Sequence, residues 1–306
     1  MFKLGIISDE VSQDFDIVVK FAKKNQLDFV EIRTVWDKSP QDLTPSDIRN
    51  MKEILNRSGM VIRSIASPVF KCHINKEAEY HQHLEILKRC IDLAHQLNTD
   101  ILRIFTFWKK ETTSLEGNWN LLIDRFGPAI DLAKQENIRL AIENEHSCLI
   151  SIGKELCRFL DALDNNPKSV YALWDPCNEI FAGITEPPYP NGYESIATRM
   201  IHLHIKDAIR VNPKSQIQNP KQNLPQGGEP KCVPIGDGWI DWEEQFKALI
   251  TNNYNGGASL ETHWRPQKEL SESKLNRPGG SEFSSLGEEA SQICIDRITD
   301  IIAHLI

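Results

Sequence analysis

Residues 200–208 read MIHLHIKDA, an alternating run that ends in a lysine and an aspartate. Alternation with a period of two is typical of a β-strand, and it predicts that His202 and His204 lie on the same face. Similar short apolar runs recur along the chain, and most are followed by a longer segment with helical spacing. The predicted strands are KLGIISD (3–9), FVEIRT (29–34), VIRSIAS (61–67), ILRIFTF (101–107), IRLAIENE (138–145), YALWDPC (171–177), MIHLHIKDA (200–208) and GASLETH (257–263).

The segments between these runs have the apolar spacing of amphipathic helices. They are Phe15–Lys24, Pro45–Arg57, Glu79–Leu97, Trp119–Gln135, Lys154–Leu163, Trp242–Ile250 and, last in the chain, Gly287–Leu305. Strands that alternate with helices predict a parallel sheet, and eight such units favour an α/β fold, the (β/α)8 TIM barrel. A doubly wound open sheet is the alternative, but no glycine-rich phosphate loop follows the first strand. The 306 residues are therefore predicted to form a single TIM-barrel domain, residues 1–306.

Two segments, 211–234 and 265–287, lack a helical or strand period and are rich in Pro, Gly, Asn, Gln and Ser. They are predicted to be long loops. Each follows a strand, which places both at the carboxyl-terminal face, where barrel enzymes carry their active sites. The first loop is interpreted either as a lid over that face or as an insertion used for contacts in a homo-oligomer.

Composition limits the classes of function. A formal net charge of −8 without a Lys/Arg-rich run argues against nucleic acid as a partner. The apolar runs are too short to cross a bilayer, which predicts no membrane segment. The N-terminus turns acidic within ten residues and lacks the pattern of a signal peptide, so a cytoplasmic location is expected. The seven cysteines include no C-x-x-C pair and are predicted to be reduced thiols.

Four of the later predicted strands carry a potential metal ligand at their ends. These are Glu143 in LAIEN, Asp175 in ALWDP, His204 in HLHIKD and Glu261 in ASLETH. A single acidic residue at a strand end is more often a helix N-cap or an ion-pair partner, but four ligand types at one rim favour a metal site. Buried carboxylates also need a compensating cation. Three carboxylates and an imidazole favour one divalent metal ion, Mn²⁺, Mg²⁺ or Co²⁺, with Zn²⁺ as a further candidate.

The same motifs carry a resemblance to a known family. I-E-N at 142–144, W-D-P-C-N at 174–178, H-L-H-I-K-D at 202–207, G-D-G-W-I-D-W at 236–242 and S-L-E at 259–261 resemble, in order and spacing, the xylose isomerase-like TIM barrels of the sugar phosphate isomerase/epimerase superfamily. The resemblance implies metal ligands at Glu143, Asp175, His204 and Glu261. It further implies that Glu143 and Glu261 act as the catalytic acid/base pair and that Arg210, six residues after the ligand histidine, contacts substrate.

The sequence departs from the family at two places. Epimerases and endonucleases of the superfamily usually have D-x-x-H on the sixth strand, whereas Asn178 stands at the histidine position here. Asn178 remains a candidate substrate contact, and so do His202 and Lys206. The segment G-D-G-W replaces the Asp-x-His pair of endonuclease IV-type enzymes, which argues against a trinuclear zinc nuclease.

Several basic side chains have two interpretations. Lys206 shares the parity of His204 and is predicted to act inside the site as an electrophile or hydroxyl ligand, or to form an ion pair with Asp207 or a neighbouring strand. Arg33, Arg63 and Arg103 lie within predicted strands. They either bind a substrate phosphate or carboxylate or pair with nearby acidic residues.

Three functions are consistent with these features. The first is a metal-dependent isomerase or epimerase that acts on a keto-sugar or sugar phosphate through an enediolate, with a small carbohydrate as its partner. The second is a lyase that dehydrates a keto-inositol or related keto-sugar with the same metal site. The third is a non-catalytic sugar-binding barrel, which is the weakest because all four candidate ligands are present.

Overall fold

Eight parallel strands close into a barrel, as the alternation of strands and helices predicts. The computed structural model describes residues 2–110, 113–163, 169–212, 223–266 and 279–306. The barrel strands are β1 (Lys3–Ile7), β2 (Phe29–Ile32), β3 (Ile62–Ala66), β4 (Ile101–Ile104), β5 (Arg139–Glu143), β6 (Val170–Trp174), β7 (Met200–Ile205) and β10 (Gly257–Leu260). The barrel closes where β1 pairs in parallel with β10, Gly5 opposite Ser259. Each predicted strand therefore exists in the described part of the chain.

The long helices pack around the outside of the barrel. The helices are α1 (Ser8–Val11), α2 (Phe15–Lys24), α3 (Pro45–Ser58), α4 (Glu77–Gln96), α5 (Leu115–Gln135), α6 (Gly153–Ala162), α7 (Pro176–Ala182), α8 (Tyr193–Ile196), α9 (Trp242–Thr251), α10 (Gly280–Ser284) and α11 (Gly287–Leu305). Helix α3 illustrates why the ends are readable from sequence. Thr44 and Asp47 form a capping box at its start, and Gly59, with a φ of 68°, ends it in the left-handed region.

The apolar core fills the layer between the barrel and the helices. Phe70 stacks on Phe107 with ring centroids 4.7 Å apart, and its centroid lies 5.1 Å from that of Phe126. Phe159 meets Phe126 edge to face at 4.9 Å. These rings come from the β3 and β4 loops and from α5 and α6, so they join the central units of the barrel through buried apolar area.

The structure corrects the prediction for residues 211–234. Strands β8 (Asp207–Val211) and β9 (Glu229–Val233) form an antiparallel ribbon at the carboxyl-terminal end of β7, so part of this segment is strand and not loop. Strand β9 is not predicted from its sequence, EPKCV, because the segment is short, contains Pro230 and has little apolar alternation. In the other long segment, residues 280–284 form α10. Residues 213–222 and 267–278 lie outside the described residues, and the lid interpretation of the first segment remains a prediction.

Asp207 connects the ribbon to the barrel. Its buried carboxylate accepts hydrogen bonds from the backbone N–H groups of Ala208, Gly236, Gly238 and Ile240, at 2.9 to 3.3 Å. A Cβ atom on Gly238 would lie 1.9 Å from Asp207 Oδ1, so the close approach requires glycine there. The G-D-G-W motif is therefore a turn held around this carboxylate.

None of the described helices is both long enough and apolar enough to cross a bilayer.

Asp207→Ala should lower the free energy of unfolding by about 2 kcal/mol or more, because it leaves buried N–H donors without an acceptor. Urea unfolding followed by circular dichroism measures the change. Asp237→Ala, in the same turn but at an exposed position, is the matched control; it removes a solvent-exposed ion pair with Arg297 and should change stability by less than about 1 kcal/mol. Equal effects of the two substitutions would contradict the role given to Asp207.

Candidate metal centre

Four side chains at the ends of β5, β6, β7 and β10 converge at the carboxyl-terminal rim. Each of Glu143, Asp175, His204 and Glu261 offers one ligand atom, and these four atoms all lie within 4.8 Å of one another. All four side chains are buried. We call this set the four-residue cluster. It contains the four residues that the strand ends predict as metal ligands.

Asp175 has one oxygen for the helix that follows it and one for the cluster. It is the N-cap of α7, and its Oδ1 accepts from the backbone N–H groups of Cys177 and Asn178 at 2.9 and 3.2 Å. Pro176 follows at the first helical position, where its missing N–H costs nothing. The other carboxylate oxygen of Asp175, Oδ2, is thereby directed towards the cluster, where it lies 2.6 Å from Lys206 Nζ.

An arginine from another part of the barrel holds each glutamate of the cluster. Arg103 Nη1 donates to Glu143 Oε2 at 2.6 Å, and Arg33 Nη1 donates to Glu261 Oε1 at 2.6 Å. In each case the other carboxylate oxygen lies near His204, with Nδ1 3.6 Å from Glu143 Oε1 and 3.5 Å from Glu261 Oε2. The arginines thus turn one oxygen of each glutamate towards the imidazole.

Lys206 lies among the carboxylates of the cluster. Its ammonium is 2.6 Å from Asp175 Oδ2 and 2.8 Å from Glu261 Oε2. Asn178 also reaches the cluster, because its Nδ2 donates to Glu143 Oε1 at 3.1 Å while its Oδ1 lies 3.4 Å from Lys206 Nζ. Lys206 therefore forms ion pairs with neighbouring strands and not with Asp207. Lys206 and Asn178 are the two predicted substrate contacts that the structure brings to the cluster.

Glu31 fixes the orientation of His204, a role that the sequence analysis does not predict. Its Oε1 lies 3.3 Å from His204 Nε2, which leaves Nδ1 facing the four-residue cluster. Its Oε2 contacts His202 Nε2 at 2.8 Å. The sequence V-E-I-R places the carboxylate of Glu31 inside an apolar strand, which indicates that it needs a buried partner. The sequence does not show that this partner is His204.

Two predicted substrate contacts lie elsewhere. His202 is fully buried beneath His204, where its Nε2 also lies 2.9 Å from Ser259 Oγ. The guanidinium of Arg210 donates to the carbonyl oxygens of Ile180, Ile184 and Pro225 at 2.7 to 3.0 Å. His202 therefore lies deeper in the barrel than the cluster, and Arg210 ties the β8–β9 ribbon to the end of α7. A substrate contact for either residue stays a prediction.

The cluster has the lone pairs that a metal ion would need. Nδ1 of His204 is buried and forms no hydrogen bond among the described residues, and the buried Oδ2 of Asp175 faces the ammonium of Lys206. Buried polar atoms without such partners are rare and call for an explanation. The donor set of three carboxylates and one imidazole suits a divalent cation. The residues present therefore fit a metal ion.

Ion pairs around the cluster leave an excess of negative charge. Among the described residues, seven buried carboxylates take part, and five arginine or lysine side chains face them. The carboxylates belong to Asp9, Glu10, Glu31, Glu143, Glu145, Asp175 and Glu261, and the cations to Arg33, Lys71, Arg103, Lys206 and Arg265. Two negative charges remain without an arginine or lysine partner. A protonated histidine or a bound cation can supply the missing positive charge.

Burial and neighbouring charges act in opposite directions on the pKa values of Asp175, His204 and Glu261. Burial raises the pKa of Asp175 to about 7 even though Lys206 opposes the rise. Burial also acts against ionisation of Glu261, but the nearby ammonium of Lys206 holds the pKa of Glu261 well below its usual range. Burial lowers the pKa of His204, but the charges of Glu31 and Glu261 raise it well above its usual value. A cation that binds here would replace protons on Asp175 and His204.

Known proteins share this architecture. Residues 19–279 match the family model of the xylose isomerase-like TIM barrel. The inosose dehydratase of Geobacillus thermodenitrificans (strain NG80-2) is 23% identical over 235 residues, which span 72% of this chain and 76% of that enzyme.

Two solved structures have the same fold at low sequence identity. The IOLI protein with a bound zinc atom superposes with a TM-score of 0.72 at 17% identity, covering 100% of this chain and 99% of its own. D-allulose 3-epimerase from Methylomonas sp., in complex with D-allulose, superposes with a TM-score of 0.66 at 16% identity, covering 97% of each chain. Because the family model matches most of the 306 residues, the chain belongs to the xylose isomerase-like TIM barrel family.

Proposed function

We propose that the four-residue cluster binds one divalent metal ion, with Glu143, Asp175, His204 and Glu261 as its ligands. The support is the convergence of their ligand atoms within 4.8 Å of one another, together with the buried His204 Nδ1, which has no hydrogen-bond partner among the described residues. The two uncompensated negative charges around the cluster match the charge of such an ion. When bound, the ion would act as a Lewis acid that stabilises negative charge developing on a substrate carbonyl oxygen.

The proposed reaction is the removal of a proton next to the carbonyl of a keto-sugar, followed by its return in an epimerisation or isomerisation. Proton removal leaves an enediolate, and a carboxylate within reach must accept the proton. Glu143 and Glu261 come from β5 and from the end of β10, so one would take the proton and the other would deliver one. Arg103 and Arg33 hold these two carboxylates in place through the 2.6 Å hydrogen bonds.

Dehydration of a keto-inositol is the second candidate, because the relative from Geobacillus thermodenitrificans is an inosose dehydratase. The first step would be the same proton removal. The difference is that the second acid would protonate a departing hydroxyl group and not a carbon atom. The ammonium of Lys206, 2.8 Å from Glu261, is placed to donate a hydrogen bond to such a hydroxyl.

A panel of keto-sugars and inosose, incubated in D₂O with Mn²⁺-loaded protein, tests the proposed function. Deuterium incorporation without loss of water supports epimerisation or isomerisation, and an enone-type absorbance supports dehydration. If no member of the panel exchanges a proton or loses water, the proposed proton removal is wrong.

Chelation should abolish this activity without unfolding the protein. The barrel has a large apolar core, in contrast to a zinc finger, whose metal supplies its folding energy. Treatment with EDTA at room temperature should leave the far-ultraviolet circular dichroism unchanged, and Mn²⁺ should restore turnover. A cooperative loss of circular dichroism on chelation would contradict this expectation.

Glu261→Gln should lower turnover by about 10²- to 10⁴-fold, because the amide keeps an oxygen ligand but cannot accept the proton. Metal content measured on the same sample separates loss of the base from loss of the ion. Glu10→Gln is the control, since Glu10 is buried and also bonds Arg33 but lies outside the four-residue cluster. A metal-loaded Glu261→Gln variant that loses less than about tenfold in turnover would remove Glu261 from the acid/base role.

Glu31→Gln should weaken Mn²⁺ binding by about 10- to 100-fold, because the side chain that orients a metal-binding histidine contributes to affinity by that amount. Isothermal titration calorimetry measures the affinity directly. Ser259→Ala is the matched control, because it removes a contact to His202 in the same layer and none to His204. If both variants bind Mn²⁺ like the wild type, Glu31 does not position His204 for a metal.

A further inference from the structure

A cavity of about 350 Å³ opens beside Glu261 over the ends of β2, β3 and β4. It adjoins the four-residue cluster and contains three basic side chains. The residues that line it include Arg33, Lys71, Arg103, Phe105, Trp108 and Glu145. Three cations in one cavity would ordinarily indicate a binding site for an anion such as a phosphate group.

Each of these cations is already paired with a carboxylate. Arg33 bonds Glu261 at 2.6 Å and also meets Asp9 and Glu10, each at 2.8 Å. Arg103 bonds Glu143 at 2.6 Å.

Lys71 lies 3.6 Å from Glu145, and the two side chains are 10% and 8% exposed. A dianion entering the cavity would have to separate one of these pairs and leave a buried carboxylate unpaired.

Aromatic rings also lie against two of these cations, Arg103 and Lys71. The Arg103 guanidinium lies 4.1 Å from the centre of the Phe105 ring, and Lys71 Nζ lies 4.5 Å from the same centre. Lys71 Nζ is also 5.4 Å from the Trp108 ring. The cavity therefore presents N–H donors, carboxylate acceptors and ring faces in close alternation. Hydroxyl groups use both donors and acceptors, and the C–H faces of a sugar ring pack on aromatic rings.

We propose that this cavity receives an uncharged polyhydroxy ketone and excludes phosphorylated or carboxylated sugars. The inference rests on the proposed function, in that it names the substrate class of the same site. Glu145 allows the exclusion of anions to be tested by itself, because it forms an ion pair with Lys71 and does not belong to the four-residue cluster. Among the described residues that line the cavity, no lysine or arginine is left over for a phosphate group.

Glu145→Gln should convert the cavity into a phosphate site, because it removes the carboxylate charge that lies 3.6 Å from Lys71 Nζ. Inorganic phosphate is the probe, and titration calorimetry on the Mg²⁺-loaded protein measures its binding. The amide keeps an oxygen that can accept from Ser147, as Glu145 does at 2.9 Å. We expect phosphate to bind this variant at least about tenfold more tightly than the wild type, which should show no binding tighter than about 1 mM.

Two controls locate the effect. Glu116→Gln makes the same change in net charge but frees Arg158 on the exposed surface, so it should leave phosphate binding unchanged. Adding Lys71→Met to Glu145→Gln should abolish the gain. Wild-type binding of phosphate tighter than about 1 mM, or a Glu145→Gln variant without any gain, would overturn the inference.

Turnover separates this inference from the proposed function. Proton exchange in D₂O is compared between neutral keto-sugars and their phosphate esters, for example fructose and fructose 6-phosphate. Exchange with neutral members alone supports both statements. Exchange confined to the phosphate esters would overturn the inference while supporting the proposed function. If no sugar exchanges, the proposed function fails and the phosphate titrations still decide the inference.

Discussion

Four barrel strands carry the side chains of the four-residue cluster into a region that water hardly reaches, where an unpaired carboxylate costs roughly several kcal/mol. Much of the surrounding structure offsets this cost. Arg33 and Arg103 each place a guanidinium on one glutamate, and Lys206 places an ammonium between Asp175 and Glu261. Because these cations come from different strands, the charge balance also fixes the relative positions of those strands at the rim. Stability and site geometry therefore depend on the same ion pairs.

The network extends to the first strand of the barrel. Asp9 and Glu10, directly after β1, bind Arg33, and Arg265 binds Glu10 from the segment after β10. The seam where β1 meets β10 is thus joined by buried charge at the level of the cluster. A short helix, α1, is buried along its whole length here, which explains how two adjacent acidic residues come to lie without access to water.

In the segment after β7, backbone groups take the place of ion pairs. Asp207 gathers four N–H groups of the G-D-G-W turn, and Arg210 donates to three carbonyl oxygens near the end of α7. Asp175 is the N-cap of α7, so the ribbon of β8 and β9 packs against the helix whose start positions one of the cluster carboxylates. Substrate selection then belongs to the cavity over β2, β3 and β4, where charge pairing is complete among the described residues that line it.

The sequence by itself determined the eight strands, the long helices and the four residues of the cluster. These features are local: a period of two marks a strand, a period near 3.6 marks a helix, and a ligand residue after an apolar run must reach the rim of a parallel barrel. Only the tertiary structure decided which charges meet. Arg33 and Glu261 are 228 positions apart, and Glu31 and His204 are 173 apart, so no spacing rule connects them. The family resemblance implies a substrate contact for Arg210, and only the packing shows that its guanidinium donates to three carbonyl oxygens. The ribbon strand at 229–233 likewise depends on pairing with 207–211 and not on its own weak periodicity.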